Sequence, residues 1–488
     1  MKFVDLLKNI PLIEVSGNDR EDILGLAYSS KQVKPGFLFA ALKGGKTDGF
    51  EFVGDAVGRG AGAVLSENPK PENVNVVWVR VPDAREALAF LSAAFYSFPS
   101  RELKVVGITG TKGKTTVTYL LESILRKAGF EPSVIGTINY RGRDMAIEAD
   151  RTTPEAPDIQ RLLREFASRG ATHCLIEVSS HALDLKRVWG VEFDAAVFTN
   201  LSGEHMDYHH SMEDYFAAKK KLFFLNSKKR TAVVNLDDPW GQKLLAELPM
   251  ATVSFGLEPA AIVRSKVYRL SEEGITAEID YPGGQVEITS PLMGKHNLSN
   301  ILASFAVSLV LNVPVAAIQQ GLASLQNVPG RMEKIENNRG FRIFIDYAHT
   351  DNALKNLLET VRALRPGRIL LVFGAGGDRD KSKRERMGEV AGRLADLIFI
   401  TSDNPRSEDP TAIIAEIEKG VKKAGTKNYR KIEDRREAIE QALRAAKKGD
   451  YVLVAGKGHE PYQIAKDKVL PFHDGEVIRD TLTKMENK

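Results

Sequence analysis

The chain has 488 residues, too many for a single hydrophobic core, and this length suggests roughly three domains. Hydrophobic residues make up 43% and charged residues 27% of the sequence, a balance that excludes disordered and collagen-like chains. The net charge is only +4, with basic residues dispersed among acids, so the composition gives no support to nucleic-acid binding.

The sequence also bears on location. It contains no apolar run of bilayer length, and acidic residues interrupt the apolar N-terminus where a secretory signal would continue. We therefore expect a cytoplasmic protein without membrane insertion. The single cysteine, Cys174, excludes an intrachain disulfide, and its apolar neighbours predict a buried, unreactive thiol.

The predicted elements begin with a small α/β domain over residues 1–99, in which turn signals break short apolar runs and a helix covers 84–97. Further along, buried strands at 104–109, 133–137, 173–178 and 195–199 alternate with helices at 115–128 and 158–168. This alternation predicts a mostly parallel sheet, covered on both faces, in a central domain over residues 100–330.

Two further patterns complete the chain. Residues 261–290 alternate like antiparallel strands, and helices follow at 297–311 and 315–325. After Val328-Pro329-Gly330, strands at 341–346, 368–373, 397–401 and 451–455 predict a third, Rossmann-like domain over residues 331–488. The predicted fold class is therefore α/β with three domains.

A glycine-rich segment joins the first central strand to its helix. It reads Gly107-Ile108-Thr109-Gly110-Thr111-Lys112-Gly113-Lys114-Thr115-Thr116. Its glycines allow backbone N–H groups to close on phosphate oxygens, and the following helix adds its N-terminal dipole. Lys114 is expected at the β- and γ-phosphates and the Thr115 hydroxyl at Mg²⁺. Because the glycine spacing departs from the standard phosphate loop, a turn without a ligand is the alternative.

Polar blocks follow two later strands. Glu177-Val178-Ser179-Ser180-His181 comes directly after a buried strand, at the sheet edge where a carboxylate can hold Mg²⁺. A helix-capping role for Ser179 or Ser180 is the alternative, and His181 is given no role. Further on, Lys219-Lys220-Lys221 occupies the middle of an amphipathic helix, where three adjacent lysines cannot all face the core.

Seven blocks, in this order, resemble the Mur ligases of peptidoglycan precursor synthesis. They are Gly110 to Thr116, Glu177 to His181, Thr199-Asn200-Leu201, Asp207-Tyr208-His209, Ala218-Lys219, Gly294-Lys295-His296-Asn297 with Asn300, and Asp346-Tyr347-Ala348-His349. The resemblance spans essentially the whole chain. It implies a three-domain enzyme with N-terminal UDP-sugar binding, a central ATPase domain and C-terminal amino-acid binding.

The resemblance also implies site residues. The ATP-binding residues would be Gly110, Thr111, Lys112, Gly113, Lys114, Thr115, Thr116, Asn300, Arg331 and Asp346. Two Mg²⁺ ions would be held by Thr115, Glu177, His205 and Lys219, and the catalytic groups would be Lys114, Lys219 and His205. Lys219 would be carbamylated, which turns a cation into an anionic oxygen donor suited to a hard metal ion.

Other blocks resemble the substrate-binding segments that differ between Mur ligases. Thr152, Thr153, Ser179 and Arg187 match contacts to the UDP-N-acetylmuramoyl dipeptide, and Ser30 matches the uracil-binding region. Asp403-Asn404-Pro405-Arg406 is similar to the signature of the members that add meso-diaminopimelate, and Arg379, Gly456 and Glu460 match further contacts to that amino acid. The planar fork of Arg406 could hold the second carboxylate of diaminopimelate, which lysine lacks. The alternative is a surface turn in which Arg406 pairs with Asp403 or Glu408.

The resemblance thus implies an ATP-dependent ligase, and we expect it to be a monomer. It would join meso-2,6-diaminopimelate to UDP-N-acetylmuramoyl-L-alanyl-D-glutamate through an acyl phosphate, releasing ADP and phosphate. The alternatives are a lysine-adding member of the family, a folylpolyglutamate-type ligase, and a nucleotide switch without ligase activity.

Overall fold

The computed structural model describes residues 1–17, 22–45, 47–206, 208–225, 230–466 and 468–486. The chain divides into two compact units. The first comprises residues 1–266, 279–286 and 299–322, and the second comprises 267–278, 287–298 and 323–488. The predicted domain boundaries at residues 99 and 330 stay predictions, and the first unit contains residues of both the predicted N-terminal domain and the predicted central domain.

The first hundred residues form a small five-stranded sheet with helices. Its strands are β1 (Glu14–Ser16), β2 (Gly25–Ala27), β3 (Phe37–Ala40), β4 (Ala63–Ser66) and β5 (Val77–Arg80), in the order β1-β5-β4-β3-β2. The helices are α1 (Phe3–Leu7), α2 (Val53–Gly58) and α3 (Ala84–Phe95). Helix α3 begins where the Asp83 side chain accepts a hydrogen bond from the Glu86 N–H, which satisfies one of the free amides of its first turn.

The central sheet has eleven strands. They are β6 (Lys104–Thr109), β7 (Pro132–Ile135), β8 (Asn139–Gly142), β9 (Met145–Glu148), β10 (His173–Glu177), β11 (Ala195–Phe198), β12 (Thr231–Asn235), β13 (Thr252–Gly256), β14 (Val263–Ser271), β15 (Gly274–Tyr281) and β16 (Gly284–Ser290). Their order is β16-β15-β14-β13-β12-β11-β6-β10-β7-β8-β9. Two-residue turns join β14 to β15 and β15 to β16, and only antiparallel neighbours can be joined so closely.

Strand β6 lies between β10 and β11 and is parallel to both. In this register Glu177 is opposite Ile108, and Phe198 is opposite Thr109. Because the carboxyl ends of parallel strands meet at one edge, the glycine-rich segment, Glu177 and the residues after Phe198 are brought together.

Within the described ranges, seven α-helices accompany this sheet in the sequence. They are α4 (Lys114–Lys127), α5 (Ala156–Ser168), α6 (Ser180–Asp184), α7 (Met212–Phe224), α8 (Pro239–Glu247), α9 (Lys295–Val310) and α10 (Val315–Ser324). The buried residues of α4 include Val117, Leu120, Leu121 and Ile124, which recur at helical spacing. Cys174 lies fully buried in β10, so the predicted buried thiol is confirmed.

The C-terminal residues form a six-stranded sheet and a separate hairpin. The sheet contains β17 (Glu333–Ile335), β18 (Arg342–Asp346), β19 (Ile369–Phe373), β20 (Leu397–Ile400), β21 (Tyr429–Lys431) and β22 (Tyr451–Ala455), in the order β17-β18-β22-β19-β20-β21. The hairpin consists of β23 (Tyr462–Ala465) and β24 (Lys468–Pro471), and the helices are α11 (Asp351–Ala363), α12 (Ser382–Leu394), α13 (Pro410–Lys423), α14 (Arg435–Ala445) and α15 (Asp474–Glu486). From β18 through β22, β19 and β20 to β21, each strand is parallel to the next, as in the predicted Rossmann-like arrangement, whereas β17 pairs antiparallel with β18.

The α/β prediction is therefore confirmed. No helix in the described part of the chain is both long and apolar enough to span a membrane.

Candidate active site

The glycine-rich loop takes a backbone conformation that requires glycine at two positions. Gly110 has a φ of 148° and Gly113 a φ of 91°. A Cβ at Gly110 would collide with the Thr199 Oγ1, and one at Gly113 would collide with the Asn300 Oδ1. The loop therefore packs tightly against the segment after β11 and against α9, which places the predicted ATP-binding Asn300 beside it.

Two residues after β11 hold the loop in shape. The Asn200 Oδ1 accepts a hydrogen bond from the Lys112 N–H at 3.0 Å, and the Asn200 carbonyl accepts one from the Thr111 N–H at 2.9 Å. The Thr199 hydroxyl donates to the Lys112 carbonyl at 2.6 Å. These contacts hold the backbone of the loop in its observed shape.

A carboxylate and a hydroxyl meet at the start of α4. The Thr115 hydroxyl donates to the Glu177 Oε2 at 2.9 Å, and Glu177 is buried at the end of β10. Thr137 holds the same carboxylate, with its hydroxyl 2.8 Å from Oε2 and its N–H 3.1 Å from Oε1. A hydroxyl and a carboxylate are oxygen donors of the kind that Mg²⁺ prefers, so the donor set fits the predicted ion.

Lys219 is buried beside the loop. Its Nζ donates to the Gly110 carbonyl at 2.8 Å, and the Lys114 Nζ donates to the same oxygen at 2.9 Å. Among the residues that the structure describes, Lys219 forms no ion pair, although the charge of the Glu204 carboxylate acts to raise its pKa. Burial lowers the pKa of the Lys219 ammonium well below its usual range, and the charge of Lys114 acts in the same direction.

The two lysines after Lys219 have different environments. Lys220 pairs with Glu247 at 2.7 Å and Lys221 pairs with Asp184 at 2.8 Å, both with partly exposed side chains. The prediction that the three lysines cannot all face the core is therefore confirmed, and only Lys219 is buried.

Predicted metal ligand His205 lies in an aromatic cluster near the loop. Its φ is 60°, and its ring centroid is 5.2 Å from that of His181 and 6.1 Å from that of Tyr215. Partial desolvation lowers the pKa of His205 to about 4, although the residue is exposed, and Lys114 acts in the same direction. Asp207 of the quoted block lies outside the described residues.

No group of three or more His, Cys, Asp or Glu side chains within the described ranges is arranged to hold a metal ion. The predicted set includes only two such residues, Glu177 and His205, with a hydroxyl and a modified lysine as the other ligands. The two-ion site therefore stays a prediction.

Four of the predicted dipeptide-binding residues lie beside Glu177. The Thr153 hydroxyl donates to the Glu177 carbonyl at 2.7 Å, and the Ser179 N–H donates to the Thr153 hydroxyl at 3.1 Å. Arg187 donates to the Thr153 carbonyl at 3.0 Å, and the Thr152 hydroxyl lies 3.1 Å from that of Thr137. Ser179 also caps α6 through the Ala182 N–H, so the capping alternative is present as well.

Ser30 occupies a different place, at the first residue of a short 3₁₀ helix, Ser30–Gln32. It is buried, and its hydrogen bond to the Asp55 carboxylate helps to lower the pKa of that group. Ser30 is therefore not among the residues gathered around Glu177, and its role in uracil binding stays a prediction.

In the second unit, several predicted amino-acid-binding residues converge. The Asn404 Nδ2 donates to the Glu460 Oε2 at 2.8 Å, and the fully buried Lys457 donates to the Asn404 Oδ1 at 3.2 Å. Gly456 has a φ of 116°, and a Cβ there would lie 2.5 Å from the Asp403 Oδ2. Asp403, Asn404, Gly456 and Glu460 thus line one polar site at the ends of β20 and β22.

Arg406 is half-buried and has a left-handed backbone, with a φ of 51°. Its Nη1 donates to the Gly377 carbonyl at 2.8 Å. Within the described ranges it forms no ion pair, because Glu408 is held by Arg384 at 2.8 Å and by Lys381 at 3.2 Å. The alternative of a surface pair between Arg406 and Asp403 or Glu408 is therefore wrong.

Four other predicted residues belong to this unit, two in the loops next to the amino-acid site and two in a separate cluster. Pro405 is buried next to Arg406, and Arg379 is exposed in the loop after β19. Arg331 stacks over the Tyr347 ring at 4.7 Å, and the Asp346 carboxylate accepts the Met332 N–H at 2.8 Å. The predicted ATP contacts of this unit, Arg331 and Asp346, thus belong to one small cluster.

Comparison with known proteins covers most of the chain. The model described as "Mur ligase family, catalytic domain" matches residues 22–96, "Mur ligase middle domain" matches 108–308, and "Mur ligase, glutamate ligase domain" matches 330–458. The chain is 43% identical to UDP-N-acetylmuramoyl-L-alanyl-D-glutamate--2,6-diaminopimelate ligase of Geobacter metallireducens, over 100% of this chain and 99% of the relative. The chain belongs to the Mur ligase family.

Two further relatives of this Mur ligase carry the same name. The protein of Caldanaerobacter subterraneus is 43% identical, with 100% of each chain covered. A solved structure of a ligase of this name is 30% identical, covers 100% of both chains and has a TM-score of 0.72.

Sequence reasoning missed several residues that shape the sites of this Mur ligase. Thr137 holds Glu177, and the Tyr215 ring lies 4.5 Å from the Lys219 Nζ. The Lys457 Nζ donates hydrogen bonds to both Asn404 and Glu460 in the amino-acid site, and β23 contacts the Asp403 to Arg406 block. Only Lys457 had a sequence signal, since it lies between Gly456 and Glu460, which were predicted to bind the amino acid.

Proposed function

We propose that this Mur ligase joins meso-2,6-diaminopimelate to UDP-N-acetylmuramoyl-L-alanyl-D-glutamate, using ATP and releasing ADP and phosphate. The observation that carries the choice of amino acid is the half-buried Arg406 guanidinium, which has no carboxylate partner within the described ranges. A planar guanidinium binds a carboxylate through two parallel charge-assisted hydrogen bonds. The second carboxylate of diaminopimelate supplies such a partner, and lysine does not.

The reaction class follows from the groups around the phosphate loop. The D-glutamate γ-carboxylate attacks the γ-phosphorus of ATP, and ADP leaves. The diaminopimelate amine then attacks the acyl carbon, phosphate leaves, and the amine loses a proton as the amide forms. Two anions must approach each other in the first step, and the Lys114 ammonium at the loop reduces their repulsion.

Two Mg²⁺ ions fit the donor groups near this loop. The Thr115 hydroxyl and the Glu177 carboxylate would hold one, and His205 with a carbamylated Lys219 would hold the other. When bound, the ions supply positive charge to the transferring phosphoryl group. Carbamylation requires an uncharged amine, and the lowered pKa of the buried Lys219 supports that form.

Residues next to Glu177 would bind the UDP-linked dipeptide. Thr152, Thr153 and Ser179 present hydroxyls there, and Arg187 is a cation suited to a substrate carboxylate. Ser30 would contact the uracil.

The test is phosphate release by the purified protein with ATP, Mg²⁺ and the UDP-linked dipeptide, plus either meso-diaminopimelate or L-lysine. We expect release that requires both the dipeptide and diaminopimelate. Release with lysine alone would overturn the role of Arg406. Release that depends on neither substrate would favour a nucleotide switch instead.

A matched control for this assay is Arg365→Lys. Arg365 is exposed after α11 and carries the same charge as Arg406. Arg406→Lys should raise the KM for diaminopimelate, whereas Arg365→Lys should not.

A further inference from the structure

The β23–β24 hairpin contacts every polar residue of the Asp403 to Arg406 block. The Gln463 side-chain amide donates to the Asp403 carbonyl at 2.7 Å, and the Ile464 N–H donates to the Asn404 Oδ1 at 2.9 Å. The Arg406 N–H donates to the Ile464 carbonyl at 3.0 Å, and the Lys466 N–H donates to the Arg406 carbonyl at 2.6 Å. These four hydrogen bonds join segments about sixty residues apart in sequence, and the last two make a parallel bridge between Arg406 and Ala465.

The bridge holds a backbone that arginine does not favour. Arg406 has a φ of 51° and Lys466 a φ of 54°, both in the left-handed region that side chains with a Cβ rarely occupy. Such conformations persist only where the surrounding structure determines them. Here the hydrogen bonds to Ile464 and Lys466 hold the N–H and the carbonyl of Arg406, one on each side of its Cα.

The backbone of Arg406 decides where its side chain points. In this conformation the Nη1 donates to the Gly377 carbonyl, and the remaining N–H groups of the fork have no carboxylate partner in the described chain. If Arg406 relaxed to a negative φ, its Cα–Cβ bond would turn and the guanidinium would leave Gly377. The hairpin therefore bears on the direction of the fork through the backbone of Arg406.

We propose that the β23–β24 hairpin is the positioning element for Arg406, with Lys466 as its key positioning residue, and that it sets the preference for an amino acid with a distal carboxylate. This inference rests on the proposed function. Bidentate recognition depends on the orientation of the guanidinium, so a misplaced fork would bind diaminopimelate little better than lysine.

The decisive variant is Lys466→Pro. Proline has no N–H to donate to the Arg406 carbonyl and cannot adopt a φ of 54°. We expect the KM for meso-diaminopimelate to rise about tenfold or more, because the distal carboxylate loses its charge-assisted hydrogen bonds. The KM values for ATP and the UDP-linked dipeptide should stay the same, and kcat should change much less than the KM for diaminopimelate. The preference for diaminopimelate over lysine should fall by a similar factor.

Two variants show whether the effect passes through the bridge. Lys466→Gly keeps the N–H and favours the left-handed backbone, so it should recover the low KM that Lys466→Pro loses. Arg365→Pro is the matched control, since Arg365 has a φ of 56° and its N–H donates to the Arg362 carbonyl at 3.0 Å, in an exposed turn. It should leave the KM for diaminopimelate unchanged.

A double-variant cycle tests the connection to Arg406 directly. If the hairpin acts through the fork, Lys466→Pro should have no further effect on the KM for diaminopimelate in an Arg406→Ala background. Additive effects would overturn the inference, as would a Lys466→Pro enzyme with the KM and amino-acid preference of the wild type.

A misfolded Lys466→Pro variant and an inactive wild type each have a defined consequence. If Lys466→Pro does not fold, as judged by thermal unfolding, Gln463→Ala removes the bond to the Asp403 carbonyl and should raise the same KM a few-fold. An unchanged KM in that variant would overturn the inference. A wild-type protein without diaminopimelate-dependent phosphate release would refute the proposed function itself, whereas an active wild type with an unaffected Lys466→Pro variant would refute only the role of the hairpin.

Discussion

Replacing Lys219 with methionine should reduce activity and increase stability. The Nζ atoms of Lys219 and Lys114 donate to one oxygen at 2.8 and 2.9 Å, so they lie at most 5.7 Å apart, the sum of these distances. At an effective dielectric constant of about 20, two unit charges at that separation repel by about 3 kcal/mol. Methionine fills most of the same volume and has no group to ionise. The variant therefore avoids the cost that the wild type incurs, either by burying an ammonium group beside Lys114 or by releasing its proton on folding.

We therefore expect the free energy of unfolding of Lys219→Met to equal or exceed that of the wild type, by up to about 3 kcal/mol in buffer without CO₂. The sign of the pH dependence follows from the lowered pKa of Lys219. Below about pH 10.4 the unfolded chain binds a proton that the folded protein releases, so the advantage of the variant should shrink as the pH rises towards that value.

Activity should change in the opposite direction. The variant lacks the amine that would carry a carbamate, and loss of one group that stabilises transition-state charge typically costs about 10²–10³-fold in kcat. Denaturant unfolding and phosphate release, each with and without bicarbonate, measure both effects. Bicarbonate should restore CO₂-depleted wild type and leave the variant unchanged. A Lys219→Met enzyme within about tenfold of wild-type activity, or one clearly less stable than the wild type, would refute this reasoning.

Three other predictions address the amino-acid site, a buried ion pair and a histidine. Arg406→Lys keeps the charge but loses the planar fork, so the KM for meso-diaminopimelate should rise about tenfold to a hundredfold in the phosphate-release assay. Arg435→Leu leaves the fully buried Asp474 carboxylate, now 2.7 Å from Arg435, without its partner, and should lower the free energy of unfolding by about 3–5 kcal/mol. The double variant with Asp474→Leu should recover most of that loss in denaturant unfolding, and an additive loss would contradict the prediction. Burial lowers the pKa of His173 to about 4, so stability should fall as the pH drops from about 6.5 to 4, by at most about 3 kcal/mol. His173→Phe should flatten that part of the stability profile.

Strands and helices with strong periodicity were predictable from the sequence to within a few residues. Strand β6 covers the predicted range, and α4 begins and ends one residue before its predicted bounds. The reason is physical, since β6 is an unbroken apolar run buried on both faces, α4 buries one apolar face, and glycines separate the two elements. The phosphate loop could be found for the same reason, because its glycines lie between two such elements.

Contacts distant in sequence could not be predicted in this way. Thr137 holds Glu177 from the end of a different strand, forty residues away, and nothing in its local sequence indicates that role. The hairpin at β23 meets Arg406 through backbone groups, which carry no sequence signature at all. The left-handed φ of Arg406 could not be predicted either, because a residue that is held in this conformation by its surroundings need not be a glycine.

The sequence also could not show which lysines are buried. Lys457 and Lys219 are both buried in the described chain, but their neighbours differ. Lys457 is fully buried, but its Nζ lies 3.1 Å from the Glu460 carboxylate and 3.2 Å from the Asn404 amide oxygen. It is suited to act as a charged donor that holds the amino-acid site in shape. Lys219 is just as deeply placed, yet its Nζ has a carbonyl and a second lysine as neighbours and forms no ion pair in the described chain. The charge of Glu204 opposes the loss of its proton but does not outweigh burial and Lys114. A cation in that position gains by losing its proton, which makes the amine available to CO₂. The partner, rather than the depth of burial, therefore decides which of the two lysines is proposed to be carbamylated.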